Sequence, residues 1–266
     1  MPQDLFSPAL RRWALVRDGA AIETHSSQLL PVLWQGRQAM LKLALQPEER
    51  HGGAVMAWWA GHGAAPVFAH HGDAVVMARA PGDTLGAYAL TGQDDEATRI
   101  ICRIAAALHQ PRPSPPATLV KLAVWFAGLE AAAAEGGIFA AAWRTAQELL
   151  AAPQDETVLH GDIHHFNILD FGDGDWRAID PKGLWGERGY DHANLFRNPS
   201  RDLATAPGRF DRHVAIVCAA AGLERRRLLA WILAVMGLQA SWRPIQNAER
   251  HLATREIAAL ALARLD

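Results

Sequence analysis

The chain has 266 residues, half of them hydrophobic and a fifth charged. That is the make-up of a globular protein with a sizeable core, and it excludes a disordered chain. Its 28 acidic and 26 basic residues leave a net charge of −2, which argues against a broad nucleic-acid or anionic-membrane surface.

Two cysteines, Cys102 and Cys218, are too few for a disulfide framework. No run of about 20 apolar residues suggests a membrane span, and the first residues lack a basic-then-apolar signal pattern. A cytoplasmic setting and a monomer are expected.

In chain order, residues 11–45 read as β-rich. Trp13 to Val16, the Asp18-Gly19 turn and Ala21 to Thr24 form a hairpin signature. After a polar break at His25 to Gln28, Leu29 to Trp34 and Ala39 to Ala44 read as strands separated by Gln35-Gly36-Arg37. Lys42 lies inside the second of these. Alternation of faces makes a solvent-pointing lysine the default there. Pro47-Glu48-Glu49 opens a helix to about Gly61, and Val75 to Ala78 is a short strand. Arg79 to Asp83 then breaks the pattern. Strands dominate before it and helices after it, so the domain boundary is placed there.

Asp94-Asp95-Glu96 begins an amphipathic helix carrying Ile100, Ile101, Ile104 and Leu108. A proline-rich connector, 111–116, leads to helices at about 119–134 and 139–152. Gly183 to Gly189 reads as a loop, and Asp191 as the cap of a short helix through Phe196. Helices follow at roughly 208–221, 224–240 and 246–265.

Between these helical regions lies the stretch that gathers the chemistry. Ile168-Leu169 and Trp176 to Ile179 flank an Asp173-Gly174 pair suited to a two-residue hairpin turn. With the turn centred between 173 and 174, Asn167 and Asp180 would face each other at the open end. Asp162 lies five residues upstream. Three oxygen-bearing side chains converge, a plausible seat for a hard cation with one carboxylate left to act on a substrate. His160, His164 and His165 invite a zinc reading, but the adjacent pair would diverge and no cysteine is near. One of them is expected to bond the loop backbone. Asp170-Phe171-Gly172 has the letters of a kinase metal triplet, yet it falls within the first arm and turn, so Asp180 is the chosen ligand.

His160-Gly161-Asp162, then Asn167, then Ile179-Asp180-Pro181, resembles the catalytic block of the aminoglycoside phosphotransferases, in particular the streptomycin 6-kinase branch. Thr24 to Ser27, Met40 to Lys42, Ala57 to Trp59 and Gly186 to Arg188 are also similar to that branch. The resemblance implies an α+β, bilobal protein-kinase-like fold. It has a small β-rich N-lobe (1–78) and a larger, mainly helical C-lobe (79–266), with a hinge at about 77–83.

The resemblance also implies ATP and Mg²⁺ as cofactors and a hydroxyl of streptomycin or a related aminoglycoside as acceptor, with antibiotic resistance as the outcome. Asp162 would orient the acceptor hydroxyl or take its proton. Asn167 and Asp180 would hold Mg²⁺. Lys42 would neutralise phosphates, fixed by Glu49, with Glu48 the runner-up. Ser26 and Ser27 would offer phosphate donors, and Met77, Ala78 and Ala80 would meet adenine. Asp191 resembles the family's buried aspartate that braces the catalytic loop. On the acceptor side, Glu187 would meet a polycation, against the plainer reading of a solvated loop charge. Phe166 and Lys182 depart from close relatives beside the acceptor hydroxyl. Lys182 would repel a guanidinium or contact a phosphate.

Three other readings stay open on the residues alone: a kinase of another small-molecule alcohol, a nucleotide-binding protein without turnover, and a histidine-based metallohydrolase.

Overall fold

The structure, a computed structural model, describes residues 5–24, 26–46, 49–242 and 248–265. The chain opens with helix α1 (Ser7–Arg12), carrying a proline in its first turn, where the missing N–H costs no bond. Then come β1 (Val16–Arg17), β2 (Ile22–Glu23), β3 (Ser27–Trp34) and β4 (Arg37–Ala44). The expected pairing of the first two strands is corrected. β1 pairs with β3 through Val16 and Leu33, and β2 pairs with β3 through Ile22 and Leu29. Two short strands thus share the longer β3 as partner.

β3 and β4 close on Gln35-Gly36, both at positive φ (51° and 77°), with Trp34 opposite Arg37. This twist suits a two-residue hairpin turn. Helix α2 is shorter than expected, Gly52–Trp59, and it is followed by β5 (Val67–His71), which the sequence did not single out, and β6 (Ala74–Ala78). The sheet order is β1-β3-β4-β6-β5. Leu30, Val32, Leu41 and Val76 on its inner face pack beneath Phe6 and Ala9 of α1. Burying such side chains contributes about 1.5–3 kcal/mol each.

After residue 83 helices dominate. They are α3 (Leu85–Tyr88) and α4 (Asp94–Leu108), then α5 (Leu122–Trp125), α6 (Ala127–Ala133) and α7 (Gly137–Ala151). The last four are α8 (Arg201–Ala204), α9 (Arg209–Ala221), α10 (Arg225–Ser241) and α11 (Ala248–Leu262). The 119–134 helix is broken: β7 (Val120–Lys121) precedes α5. β7 runs parallel to β11 (Leu184–Glu187), which also pairs antiparallel with β8 (Glu156–Leu159). The expected 183–189 loop is therefore mostly strand. Around Asp191 the chain makes two tight helical turns, Arg188–His192 and Asn194–Arg197, and Asp191 does not cap them.

At the head of α4, Asp94 is buried and takes both nitrogens of the equally buried Arg209 at 2.6 and 2.8 Å. A first-turn carboxylate that marks the start of the helix therefore also ties α4 to α9. None of the described helices is long and apolar enough to cross a membrane.

The central hairpin is β9 (Ile168–Asp170) with β10 (Trp176–Ala178), and its register corrects the expected turn. Asp170 faces Trp176 and Ala178 faces Ile168, so the centre lies on residue 173. The connection is five residues long, closed by Phe171 N–H to the Asp175 carbonyl at 2.9 Å. Asn167 consequently meets Ile179, whose N–H donates to its carbonyl at 2.9 Å, rather than Asp180.

Candidate active site

The hairpin slip would swing Asp180 to the wrong face, since side chains alternate along a strand. Past the end of β10 the ladder no longer sets its aim: Asp180 sits at φ 63°, left-handed for a residue with a side chain. Such strain is held only where surrounding contacts enforce it. Here Lys42 Nζ lies 2.5 Å from Asp180 Oδ1. The same ammonium donates to Glu49 Oε2 at 2.7 Å. Lys42 is only 6 % exposed, so the solvent-pointing reading of this strand lysine is corrected. Its partner is the buried Glu49; Glu48 lies outside the described residues.

Burial alone would raise the Glu49 carboxyl, but Lys42 and Lys182 outweigh it and hold the group below its ordinary range. Lys182 was expected beside the acceptor. It instead bonds the other Glu49 oxygen, Oε1. Burial pulls its ammonium down, while Asp162 and Glu49 pull it up further, so its pKa is raised.

Asp162 enters from the loop after β8. Its Oδ1 accepts from Asn194 Nδ2 at 2.7 Å, and Asn167 Nδ2 donates to its carbonyl at 2.9 Å. The Asn194 amide is itself oriented, because its oxygen accepts from Arg197 Nε at 2.8 Å and Gln239 Nε2 at 3.1 Å. Asn194 was not singled out from sequence. It lies three residues past Asp191 in an aperiodic segment, with no motif to mark it.

Asp191 braces the same loop from beneath. Its carboxylate accepts the N–H groups of His160 and Gly161, both at 2.8 Å, and lies 2.8 Å from His109 Nε2. Its burial would raise the carboxyl, yet the His109 bond and charge hold it low. Gly161 must be glycine: it sits at φ 84°, and a Cβ there would come within 2.9 Å of Leu184 and 3.0 Å of Lys182.

The histidines are structural. His160 is buried, with Nε2 2.9 Å from the Ile179 carbonyl, and its Nδ1 accepts the Asp162 N–H at 3.3 Å. His164 Nδ1 accepts the Phe166 N–H at 3.1 Å. Burial depresses His165 to about 3 and His192 to about 4. Folded, both stay neutral; unfolded, they regain a pKa near 6.5 and bind protons first. Stability is therefore full above pH 6.5 and is lost as pH falls towards 4. The melting temperature should drop by about 5 °C or more between pH 7 and pH 5. A flat thermal-melt profile over that range would refute the linkage.

Other expected contacts shift. Ser27 is buried at the start of β3, and its N–H donates to Thr24 Oγ1 at 3.0 Å, so that donor is not free for a phosphate. The Ser26 carbonyl accepts from Leu45 N–H at 2.9 Å. Met77 is buried beside Met56 and Ala65, with Met40, Phe171 and Ile179 packed around them. Ala78 N–H is taken by the Pro66 carbonyl at 2.8 Å, and Ala80 lies half-buried in the following linker. Asp170 turns its carboxylate onto Gly172 N–H at 2.8 Å, as turn chemistry requires. Phe166 is 41 % exposed and presses its ring on Gly86, where a Cβ would come within 2.5 Å.

The Glu187 expectation is corrected outright. Its side chain is 2 % exposed and accepts from Arg227 Nε and Trp231 Nε1, both at 2.6 Å, and from Gln154 N–H at 2.9 Å. It stands at the end of β11 opposite Glu156, whereas the catalytic loop leaves β8 at the other end, beside Leu184. A carboxylate so placed cannot meet an acceptor at Asp162.

The donor set fits a hard cation and a polyphosphate. The Asn167 amide oxygen and the Asp180 carboxylate are oxygen donors of the kind Mg²⁺ takes, and the Lys42–Glu49 pair presents a fixed cation. The space between Lys42, Glu49, Met56 and Asp180 is about 10 Å³, room for one water, because Lys42 and Asp180 satisfy each other there.

Residues 12–246 match the family described as Aminoglycoside/hydroxyurea antibiotic resistance kinase. The chain is 50 % identical to the streptomycin 3''-kinase of Klebsiella pneumoniae over 88 % of this chain and 90 % of that protein. It is 28 % identical to the streptomycin 6-kinase of Streptomyces griseus over 98 % of this chain and 89 % of that protein. A crystal structure of a thermostable mutant of the aminoglycoside phosphotransferase APH(4)-Ia, with ADP and hygromycin B, matches 99 % of this chain and 97 % of that one. Its TM-score is 0.59 at 15 % identity, a likeness of fold. The bilobal, kinase-like α+β architecture and the extent of these matches agree: the chain belongs to the aminoglycoside/hydroxyurea antibiotic resistance kinases, nucleotide-using phosphotransferases that act on a hydroxyl.

Proposed function

We propose that the protein transfers the γ-phosphoryl group of ATP, with Mg²⁺, to the 3''-hydroxyl of streptomycin. The supporting observation is 50 % identity to a streptomycin 3''-kinase across nine-tenths of that enzyme, against 28 % for the 6-kinase. ATP supplies the phosphoryl group and Mg²⁺ shields its charge. The chain's own residues do the rest. Asp162, held by Asn194 and Asn167, orients the acceptor hydroxyl and takes its proton. Asn167 and Asp180 hold the metal. Lys42, fixed by Glu49, neutralises the inner phosphates. The hinge at 77–83 joins the two lobes, and its backbone borders the adenine. Phe166, exposed on the catalytic loop, borders the acceptor.

The test is product analysis. Incubation with Mg²⁺-ATP and streptomycin should give one monophosphate, placed on the 3'' oxygen by phosphorus–proton NMR correlation. A 6-phosphate would overturn the regiochemistry, and no streptomycin-stimulated turnover would overturn the substrate.

A further inference from the structure

Glu49 carries two lysines where holding Lys42 needs one. Lys42 donates to Oε2 at 2.7 Å and Lys182 bonds Oε1, so two ammonium groups flank a single carboxylate. Lys182 keeps only 17 % of its side chain exposed, and burying a second cation carries a desolvation cost. Its backbone explains its aim. The Lys182 N–H donates to the His160 carbonyl at 2.7 Å, and its Cβ lies beside Gly161, the residue just before Asp162. The stem therefore starts next to the acceptor-orienting loop and reaches back to the nucleotide lysine's partner. That path links the loop carrying Asp162 to the Lys42–Glu49 pair.

We propose that Lys182 is a second phosphate-binding lysine, whose ammonium contacts the γ-phosphoryl group while Lys42 contacts the phosphates behind it. This rests on the nucleotide site proposed above. In the transfer, the bond from the acceptor oxygen to the γ-phosphorus forms and the bond from that phosphorus to the β-phosphate oxygen breaks. The hydroxyl proton goes to Asp162, and the electron pair stays with the departing diphosphate. Lys182 forms no covalent bond; it supplies fixed positive charge where negative charge spreads over the equatorial oxygens. Asp162, Asp180 and Glu49 put three carboxylates around this mouth, and Lys182 offsets one of them when a phosphate enters.

Equilibrium titration of Mg²⁺-ADP and of a Mg²⁺-bound β,γ-imido ATP analogue, with no acceptor present, tests this on the full chain. Lys182→Gln should weaken the analogue by about tenfold or more while ADP affinity stays nearly constant, and Lys182→Arg should recover most of the loss. Lys182→Met gives the same comparison should the glutamine variant fold poorly. Equal losses for both nucleotides, the mark of a residue acting only through Glu49, would overturn the proposal. So would no loss for either. A wild-type protein that binds neither nucleotide would overturn the nucleotide site and this proposal together. A nucleotide-binding wild type whose variants show no selective loss would remove Lys182 alone.

Discussion

Asp162→Asn is expected to lower turnover by about 10²- to 10⁴-fold, the range a positioned general base contributes, and to leave nucleotide affinity within about twofold. The substitution is isosteric. Its amide oxygen can keep the 2.7 Å bond from Asn194, which holds the loop, while the basic oxygen is lost together with the 3.4 Å contact it accepts from Asn167 Nδ2. In the proposed site nucleotide affinity rests on other residues: Lys42 and its partners Glu49 and Asp180 belong to β4, the segment before α2 and the segment after β10. Single-turnover phosphorylation, measured beside nucleotide titration, separates the two effects. Turnover within tenfold of wild type would remove Asp162 from its role. A parallel loss of nucleotide binding would show that the variant had disturbed the cleft instead.

Glu187→Ala should destabilise the fold by about 3–5 kcal/mol, the usual consequence of removing one partner of a buried ion pair. The loss strands the Arg227 guanidinium and leaves the Trp231 and Gln154 N–H groups without their acceptor. Leaving a buried donor unpaired costs about 1–3 kcal/mol. The melting temperature should fall by about 5 to 9 °C. The KM for acceptor, measured on protein that remains folded, should stay unchanged. A raised KM at unchanged melting temperature would restore the substrate-contact role that residue chemistry alone suggested.

The two carboxylates show where a linear reading stops. Glu187 lies in Gly186-Glu187-Arg188, which looks like an exposed, glycine-punctuated loop. Pairing with β8 makes it a strand, and Arg227 arrives from α10, forty residues on. Neither is visible in local pattern, because the partner is fixed by helix packing rather than by spacing. Asn194 is the opposite case: nothing in its neighbourhood announces it, yet its amide holds Asp162. Strand alternation alone makes Lys42 a pleat-edge lysine, the family resemblance pairs it with Glu49, and the structure adds Asp180 as a second partner.

From the sequence alone came the division into a strand-rich first part and a helical remainder, and the helices α4, α7, α9, α10 and α11 to within a few residues. Periodicity carries that information, since each helix buries one stripe and each sheet one face. The sequence also named Asp162, Asn167 and Asp180, from their spacing about one hairpin and from the resemblance of the His160-Gly161-Asp162 … Asn167 … Asp180 block. Tertiary structure alone decided their partners: Asn167 bonds Asp162, and Asp180 pairs with Lys42. The hairpin turns on residue 173, so each cross-strand pairing shifts by one residue from that of the simple two-residue turn. Asp180 takes a left-handed backbone and meets Lys42, and Lys182 bonds Glu49. Register, positive φ and long-range ion pairs are set by energies summed over the whole fold, so no window of residues contains them.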